Sequence, residues 1–340
     1  MTNNTQSKFL NIQDANIGYI VKGKSHSVYK SINLTAEKGT LIALIGQNGV
    51  GKSTLLRSLS NLQPIISGDI LIDEILIENF SRKQLSKTIS VVLTDNLSNL
   101  YLSVYDIVAL GRSPYLNWFG LTSHSDKQIV EEAIENTGLQ ELKSRYIFEL
   151  SDGERQKVMI ARALAQDTPV MIMDEPTAFL DLKNKFEITS LLKELTLNHG
   201  KTIIFSTHDL NIALQQTDKL WLMLPNEAKQ GAPEDLILNG ALNELFESET
   251  FEINHLTGEI FTKNKSYKKV DLFGTGLSYE LTKKALFRNG FIIDRESDSK
   301  ISIIQSEDKN LKNWIFEKEN NKFVMQSIYE LLVFLKHNNN

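Results

Sequence analysis

Four short stretches carry residues whose types and spacing could do chemistry. The first is GQNGVGKST. Its glycines, Gly46, Gly49 and Gly51, would let successive backbone N–H groups close around a phosphate, because a Cβ there would hold the anion off. With Gln47, Asn48 and Val50 between them, the stretch fits G-x-x-x-x-G-K-[ST], after an apolar run and before a helical pattern. Lys52 would then place its ammonium on the terminal phosphate oxygens, Ser53 would offer its hydroxyl to Mg²⁺, and Thr54 completes the motif. The second stretch, VMIMDEP, ends an apolar run on Asp174. A bare carboxylate is costly there unless it faces water or a cation, so Asp174 could hold Mg²⁺ directly or through water. Glu175, one residue further out, is placed to orient or deprotonate an attacking water.

The third stretch, IIFSTHD, brings His208 to a strand end. A lone histidine there is more often packed or solvated than catalytic. Its strand is expected beside the one ending at Asp174, which favours contact with a γ-phosphate. The fourth is ELSDGERQKVMIARAL. Ser151 and Glu154 form S-x-x-E, a capping box, which puts Asp152 at the first helical position. A helix end of this kind presents N–H groups to an anion. A carboxylate there gains about 0.3–1 kcal/mol from the helix dipole. It also repels a phosphate by about 2 kcal/mol, for a separation near ~7 Å and an effective dielectric near ~20. Asp152 is therefore expected to turn away, leaving Ser151 and the Gly153 backbone as the phosphate contacts.

The elements that must position these groups alternate along the chain. Short strand-like runs, FLNIQDANIGYIVKG and HSVYKSINLTAEKG, precede the apolar run LIALIG and the phosphate loop. SVYDIVALGRSP and SDKQIVEEAIENTGL have helical spacing, with Gly138 as a C-cap. PVMIMDEP, KTIIFSTH and KLWLML are apolar runs with a helical pattern between the first two, as in a parallel sheet with crossover helices. GAPEDLILNGALNELFES reads as helical and INHLTGEIFTK as a hairpin around Thr257-Gly258. From Tyr267 a new strand–helix–strand pattern begins, a small α/β appendage whose role the sequence leaves open. The expected division is a core over 1–93 and 161–225, a helical segment over 94–160, an extension over 226–266 and the appendage over 267–340.

Composition narrows the classes. The 340 residues include no cysteine, which removes disulfides, thiolate metal sites and a cysteine nucleophile. A net charge of −5 argues against a broad nucleic-acid footprint. No window approaches the roughly 18 apolar residues of a membrane span, and the start lacks the apolar stretch of a signal peptide. These features read as a cytoplasmic protein.

Taken in order, the P-loop, LSDGERQ, IMDEP, FLDL and STHD resemble the ATP-binding subunit of an ABC transporter over about Phe9 to Lys263. The resemblance implies an α/β P-loop NTPase with a RecA-like parallel sheet, an N-terminal antiparallel β-subdomain and a helical signature subdomain. It implies a head-to-tail homodimer holding two ATP molecules and Mg²⁺, each ATP between one P-loop and the other subunit's Ser151–Gln156 stretch. Tyr19 would stack on adenine, or else fill the β-subdomain core, and Asp181 in AFLDL matches the loop that communicates between the two sites. SVYDIVALGRSPYLNWFG resembles the corresponding stretch of iron–siderophore, haem and cobalamin importer ATPases. There Tyr115, Trp118 and Phe119 either form the groove for a permease helix or fill the subdomain core. The implied partners are multi-span permease subunits, with an extracytoplasmic substrate-binding protein indirectly, and the implied place is the cytoplasmic face of the inner membrane.

Two positions depart from the pattern. Thr94, followed by Asp95, stands where the family has Gln, with Asp95 as a substitute Mg²⁺ ligand. Asp152 replaces the first signature glycine. The competing functions are a soluble ABC protein acting on ribosomes or DNA, which lacks here the second cassette or basic surface it would need, and a nucleotide-gated regulator, against which Glu175 and His208 argue.

Overall fold

A computed structural model describes residues 8–93, 101–116, 123–246, 251–253, 260–262, 268–305, 312–319 and 321–338. The chain divides into two compact units, Met1–Leu245 and Phe246–Asn340.

In the first unit, β1 (Lys8–Val21) and β2 (Lys24–Glu37) form one long hairpin, where the sequence pattern suggested shorter runs. Lys22 and Gly23, both at positive φ, make its turn. Register shifts around Ala15 bend the pair instead of ending it. β3 (Leu41–Gly46) is buried at every residue and leads through the P-loop into α1 (Lys52–Leu59). β4 (Ser67–Ile72) and β5 (Ile75–Leu76) complete an antiparallel sheet of order β2-β1-β4-β5.

After α2 (Arg82–Leu85) and β6 (Ile89–Val92) come the helices α3 (Val104–Ala109), α4 (His124–Asn136) and α5 (Asp152–Ala165), which pack on one another. SVYDIVALGRSP does not continue as one α-helix: Leu110–Tyr115 tightens to a 3₁₀ turn containing Pro114, which has no N–H to donate. Gly111 is required there, since a Cβ would lie 2.2 Å from the Arg162 carbonyl oxygen. Buried Arg112 ties the segment together, with its Nε 2.8 Å from Asp126 Oδ1 and its Nη1 donating to the Ala165 carbonyl at 2.8 Å. Gly138, at φ 69°, follows the end of α4 as expected of a C-capping glycine.

β7 (Val170–Met173), α6 (Leu182–His199), β8 (Thr202–Ser206), α7 (Leu210–Gln216), β9 (Lys219–Met223), β10 (Ala228–Gly231) and α8 (Pro233–Leu238) complete the unit. The central sheet has the order β10-β9-β3-β8-β7-β6, parallel throughout except at β10. β8 thus lies between the strand that feeds the P-loop and the strand that ends at Asp174. Buried Trp221 lies in the core between the two sheets, its indole N–H donating to the Thr35 carbonyl. The helical reading of GAPEDLILNGALNELFES breaks at Gly240, whose φ of 77° ends α8, and Ala241–Phe246 is a 3₁₀ turn.

In the second unit, β11 (Phe251–Ile253) and β12 (Ile260–Thr262) pair antiparallel; Thr257 and Gly258 lie outside the described residues. β13 (Lys268–Phe273), α9 (Gly276–Arg288), β14 (Phe291–Ile293), β15 (Lys300–Gln305), β16 (Lys312–Lys318), β17 (Asn321–Met325) and α10 (Ile328–His337) follow. The strands form one sheet of order β14-β13-β15-β16-β17. Both helices pack on one face of it, where Val270, Leu272, Ile301 and Phe316 meet Leu286, Leu331 and Leu335. Trp314 is buried in that core and its indole N–H donates to Thr282 Oγ1 at 2.7 Å. No helix of the described residues is long and apolar enough to cross a membrane.

Candidate functional site

The P-loop follows from its backbone. Gly49 and Gly51 adopt φ of 78° and 116°, left-handed values that L side chains avoid. Gly46 is needed for another reason: a Cβ there would sit 2.7 Å from the Met223 carbonyl oxygen. Gln47, Asn48 and Gly49 are exposed, and Val50 N–H donates to the Gln47 carbonyl. Gln47 also reaches Leu245 O with its side-chain amide. Lys52, buried at the start of α1, donates from Nζ to the carbonyls of Gly46 at 2.8 Å and Gln47 at 3.2 Å. Burial lowers its pKa, while the negative charges of Glu175 and Asp174 push it back up. Ser53 is exposed and Thr54 buried.

Tyr19 stands on β1, 47% exposed, with its hydroxyl 3.3 Å from Thr54 Oγ1. It is not a core aromatic of the β-subdomain. Tyr29, by contrast, is buried and its hydroxyl donates to Leu224 O.

The ends of β7 and β8 carry the acidic half. Asp174 N–H donates to Val92 O, and Asp174 Oδ1 accepts from Ser206 Oγ at 2.7 Å. The same Ser206 oxygen accepts the Glu175 N–H at 2.8 Å. Glu175 has φ 50°, a left-handed value that costs a non-glycine residue on the order of 1 kcal/mol, and this bond helps to hold it. His208 Nε2 lies 2.7 Å from Glu175 Oε1. The histidine that the sequence aimed at a phosphate is thus on the carboxylate beside it.

The signature stretch behaves as its capping pattern predicts. Ser151 Oγ accepts from Glu154 N–H, and Glu154 Oε2 accepts from both the Ser151 N–H and its hydroxyl. The Ser151 hydroxyl, then its backbone N–H, hold the Glu154 carboxyl below its usual pKa. Asp152 is exposed at the first helical position and pairs with Arg155, which also donates to Leu150 O. Gly153 is buried against α6, where a Cβ would lie 2.6 Å from Asn184 Oδ1. Asp181 caps α6 by accepting from Asn184 N–H at 2.8 Å. Thr94, Asp95, Trp118 and Phe119 lie outside the described residues. Tyr115 is flanked by two cations, with Arg112 3.8 Å and Lys87 4.4 Å from its ring centre.

Against known proteins, the profile of the family described as ABC transporter matches residues 29–178, and that of the iron ABC transporter C-terminal domain matches 267–336. An iron(3+)-hydroxamate import ATP-binding protein of Bacillus subtilis is 31% identical over 81% of this chain and 96% of its own length. The chain belongs to the ABC transporter ATP-binding proteins, in the iron-siderophore and metal-chelate importer family. A petrobactin import ATP-binding protein of Bacillus anthracis is 35% identical over 65% of the chain and 82% of its own. Among solved structures, an inward-facing ABC transporter assigned to the metal-chelate type matches with TM-score 0.61 at 30% identity, over 75% of this chain and 96% of that one. A bacterial ABC transporter cassette solved as a dimer matches with TM-score 0.56 at 26% identity, over 66% and 98%. As an ABC ATPase, the chain has the α/β P-loop fold with a C-terminal domain, and ATPase subunits of this family dimerise and pair with a permease.

Sequence reasoning missed Ser206. The signal was a hydroxyl residue at the end of the apolar run IIFS, but its partners depend on the register of that strand against its neighbour. It also missed an exposed aromatic cluster just before the signature helix of this ABC cassette. Phe148 stacks on Tyr146 at 5.5 Å and meets Tyr101 edge-on at 5.4 Å.

Proposed function

We propose that this chain hydrolyses ATP to drive import of a ferric chelate through permease subunits, working as a homodimer on the cytoplasmic face of the membrane. The observation that carries the reading is the strand-end arrangement: Asp174 and Glu175 follow β7, one strand removed from the strand that feeds the P-loop, both are held by Ser206 on the strand between, and His208 lies on Glu175. Gly46, Gln47, Asn48, Gly49, Val50, Gly51 and Thr54 form the cradle for the phosphates, and Lys52 neutralises their charge. Tyr19 offers its exposed face to adenine.

Ser53 and Asp174 supply one hydroxyl and one carboxylate, the hard oxygen donors that suit Mg²⁺. No cluster of three or more His, Cys, Asp or Glu that could hold a metal occurs among the described residues. That fits a cation shared with phosphates, since Mg²⁺ in nucleotide sites uses few protein ligands and neutralises phosphate charge. Thr94 and Asp95 remain candidates for the same cation. Glu175 orients the attacking water and takes up its proton, and the His208 contact holds the carboxylate in place.

Ser151 and the Gly153 backbone present the α5 N-terminus to the second subunit's nucleotide, with Asp181 on the loop between the sites. The family to which the chain belongs supports a chelate cargo. Tyr101, Tyr146 and Phe148 provide an exposed apolar face for a permease segment.

Glu175→Gln should keep ATP binding and lower turnover by more than about a hundredfold, because an amide cannot accept the water's proton. Lys52→Ala should fail earlier, at nucleotide binding. Phosphate release measured beside ATP binding decides both, and turnover near the parental rate in Glu175→Gln would remove Glu175 from its role.

A further inference from the structure

Ser206 is the last residue of β8, fully buried between the P-loop strand and the strand that ends at Asp174. Its hydroxyl has one proton and two lone pairs. The Glu175 amide can only donate, so it must use a lone pair of Oγ, at 2.8 Å. The hydroxyl donates its proton to Asp174 Oδ1, at 2.7 Å. One small side chain therefore has its proton committed to Asp174 and a lone pair committed to Glu175.

We propose that Ser206 is a positioning residue for ATP hydrolysis. Its hydroxyl ties down Oδ1 of Asp174 and leaves the other carboxylate oxygen free to face a cation. It also fixes the Glu175 peptide at its left-handed φ, which keeps the Glu175 side chain against His208. The carboxylate that faces the cation and the carboxylate that faces water are thus set by a single clip. This rests on the roles given above to Asp174 and Glu175. The clip needs no nucleotide to form, since all of its hydrogen bonds lie within the chain.

The experiment uses the full chain with three substitutions: Ser206→Ala, Ser206→Thr and, as reference, Glu175→Gln. ATP turnover is measured for each, together with ATP binding in EDTA, thermal melting, and Mn²⁺ titration followed by electron paramagnetic resonance with a non-hydrolysable ATP analogue present. Ser206→Ala should lower kcat about tenfold and raise the Mn²⁺ midpoint severalfold, the size seen when a group that orients a metal ligand is removed. ATP binding in EDTA and KM should stay within about twofold of the parent, because the cradle does not involve Ser206. Ser206→Thr, which keeps the hydroxyl, should recover most of both losses.

Parental kcat and Mn²⁺ midpoint in Ser206→Ala, with Glu175→Gln inactive, would overturn the clip and leave the proposed function standing. An alanine chain that fails to fold, or a threonine chain no better than alanine, would overturn it too, by assigning the site to sheet stability. Parental turnover in Glu175→Gln would strike the function itself.

Discussion

Asp152 gives its carboxylate to Arg155 within its own helix, so the charge at the α5 N-terminus is partly neutralised before any second subunit approaches. The expected repulsion of an incoming triphosphate is correspondingly smaller. Asp152→Gly should still strengthen ATP-dependent dimerisation, by less than about 2 kcal/mol, because it frees Arg155 and removes an anion. The same change should lower the melting point of the nucleotide-free chain, through loss of a first-turn acid and gain of a helical glycine, each up to about 1 kcal/mol. Dimerisation in a Glu175→Gln background against ATP concentration, with apo melting alongside, separates the two effects. Weaker dimerisation would mean that Asp152 makes a favourable contact across the interface. Legibility at this scale depended on spacing. Gly46 to Thr54, and Asp174 with Glu175, could be read because their chemistry is written in consecutive residues. Ser206 could not: the neighbouring strand was expected, but not the register that sets its hydroxyl level with Asp174 and Glu175. The pairing of His208 with Glu175 was hidden for the same reason.

At the scale of the element, Ser103, Ser123 and Ser151 each cap a helix whose third residue is acidic: Asp106, Asp126 and Glu154. The Ser151 start was read from the sequence because both halves of a capping box lie within four residues, and those at Ser103 and Ser123, equally local, were not read. The turn at Leu110–Tyr115 was open to sequence reasoning only in part: Pro114 is a local signal, but the contact that excludes a Cβ at Gly111 comes from Arg162 on α5, distant in sequence. The caps carry a pH dependence. Ser151 depresses the Glu154 pKa from an ordinary value of 4.5. A depressed carboxylate stabilises the fold fully above its unfolded value, and that contribution is lost as pH falls below about 4.5 toward the folded value. Because Glu154 is partly exposed, the loss should stay under about 1 kcal/mol. Glu154→Gln keeps an acceptor for the cap but does not titrate, so its melting point should fall less steeply between about pH 5 and pH 3. Asp126, whose pKa Ser123 also depresses, titrates in both chains and cancels in the comparison. Parallel melting curves would show that the cap is not a titrating contact.

Across the whole molecule, the second unit has a core of its own, built from the β13–β17 sheet, α9 and α10. A chain lacking residues 267–340 should therefore fold and hydrolyse ATP within about threefold of the parental rate, since separable units keep their own cores. Phosphate release and melting of the shortened chain test this, and an insoluble or nucleotide-blind product would show that the second unit completes the first. The strand–helix pattern after Tyr267 was legible because it restarts after the last nucleotide motif. The strand order β14-β13-β15-β16-β17 was not, because nothing local fixes which edge a returning strand joins. Among the described residues, two tryptophans are buried and fall one to each unit, Trp221 in the first and Trp314 in the second, both with the indole N–H satisfied inside the protein. Each unit thus contains its own emitter, shielded while folded and red-shifted once water reaches the ring. With Trp118 and one of the pair replaced by phenylalanine, the fluorescence of the remaining tryptophan becomes an optical record of its own unit, so that denaturation of the full-length chain can be followed in two channels.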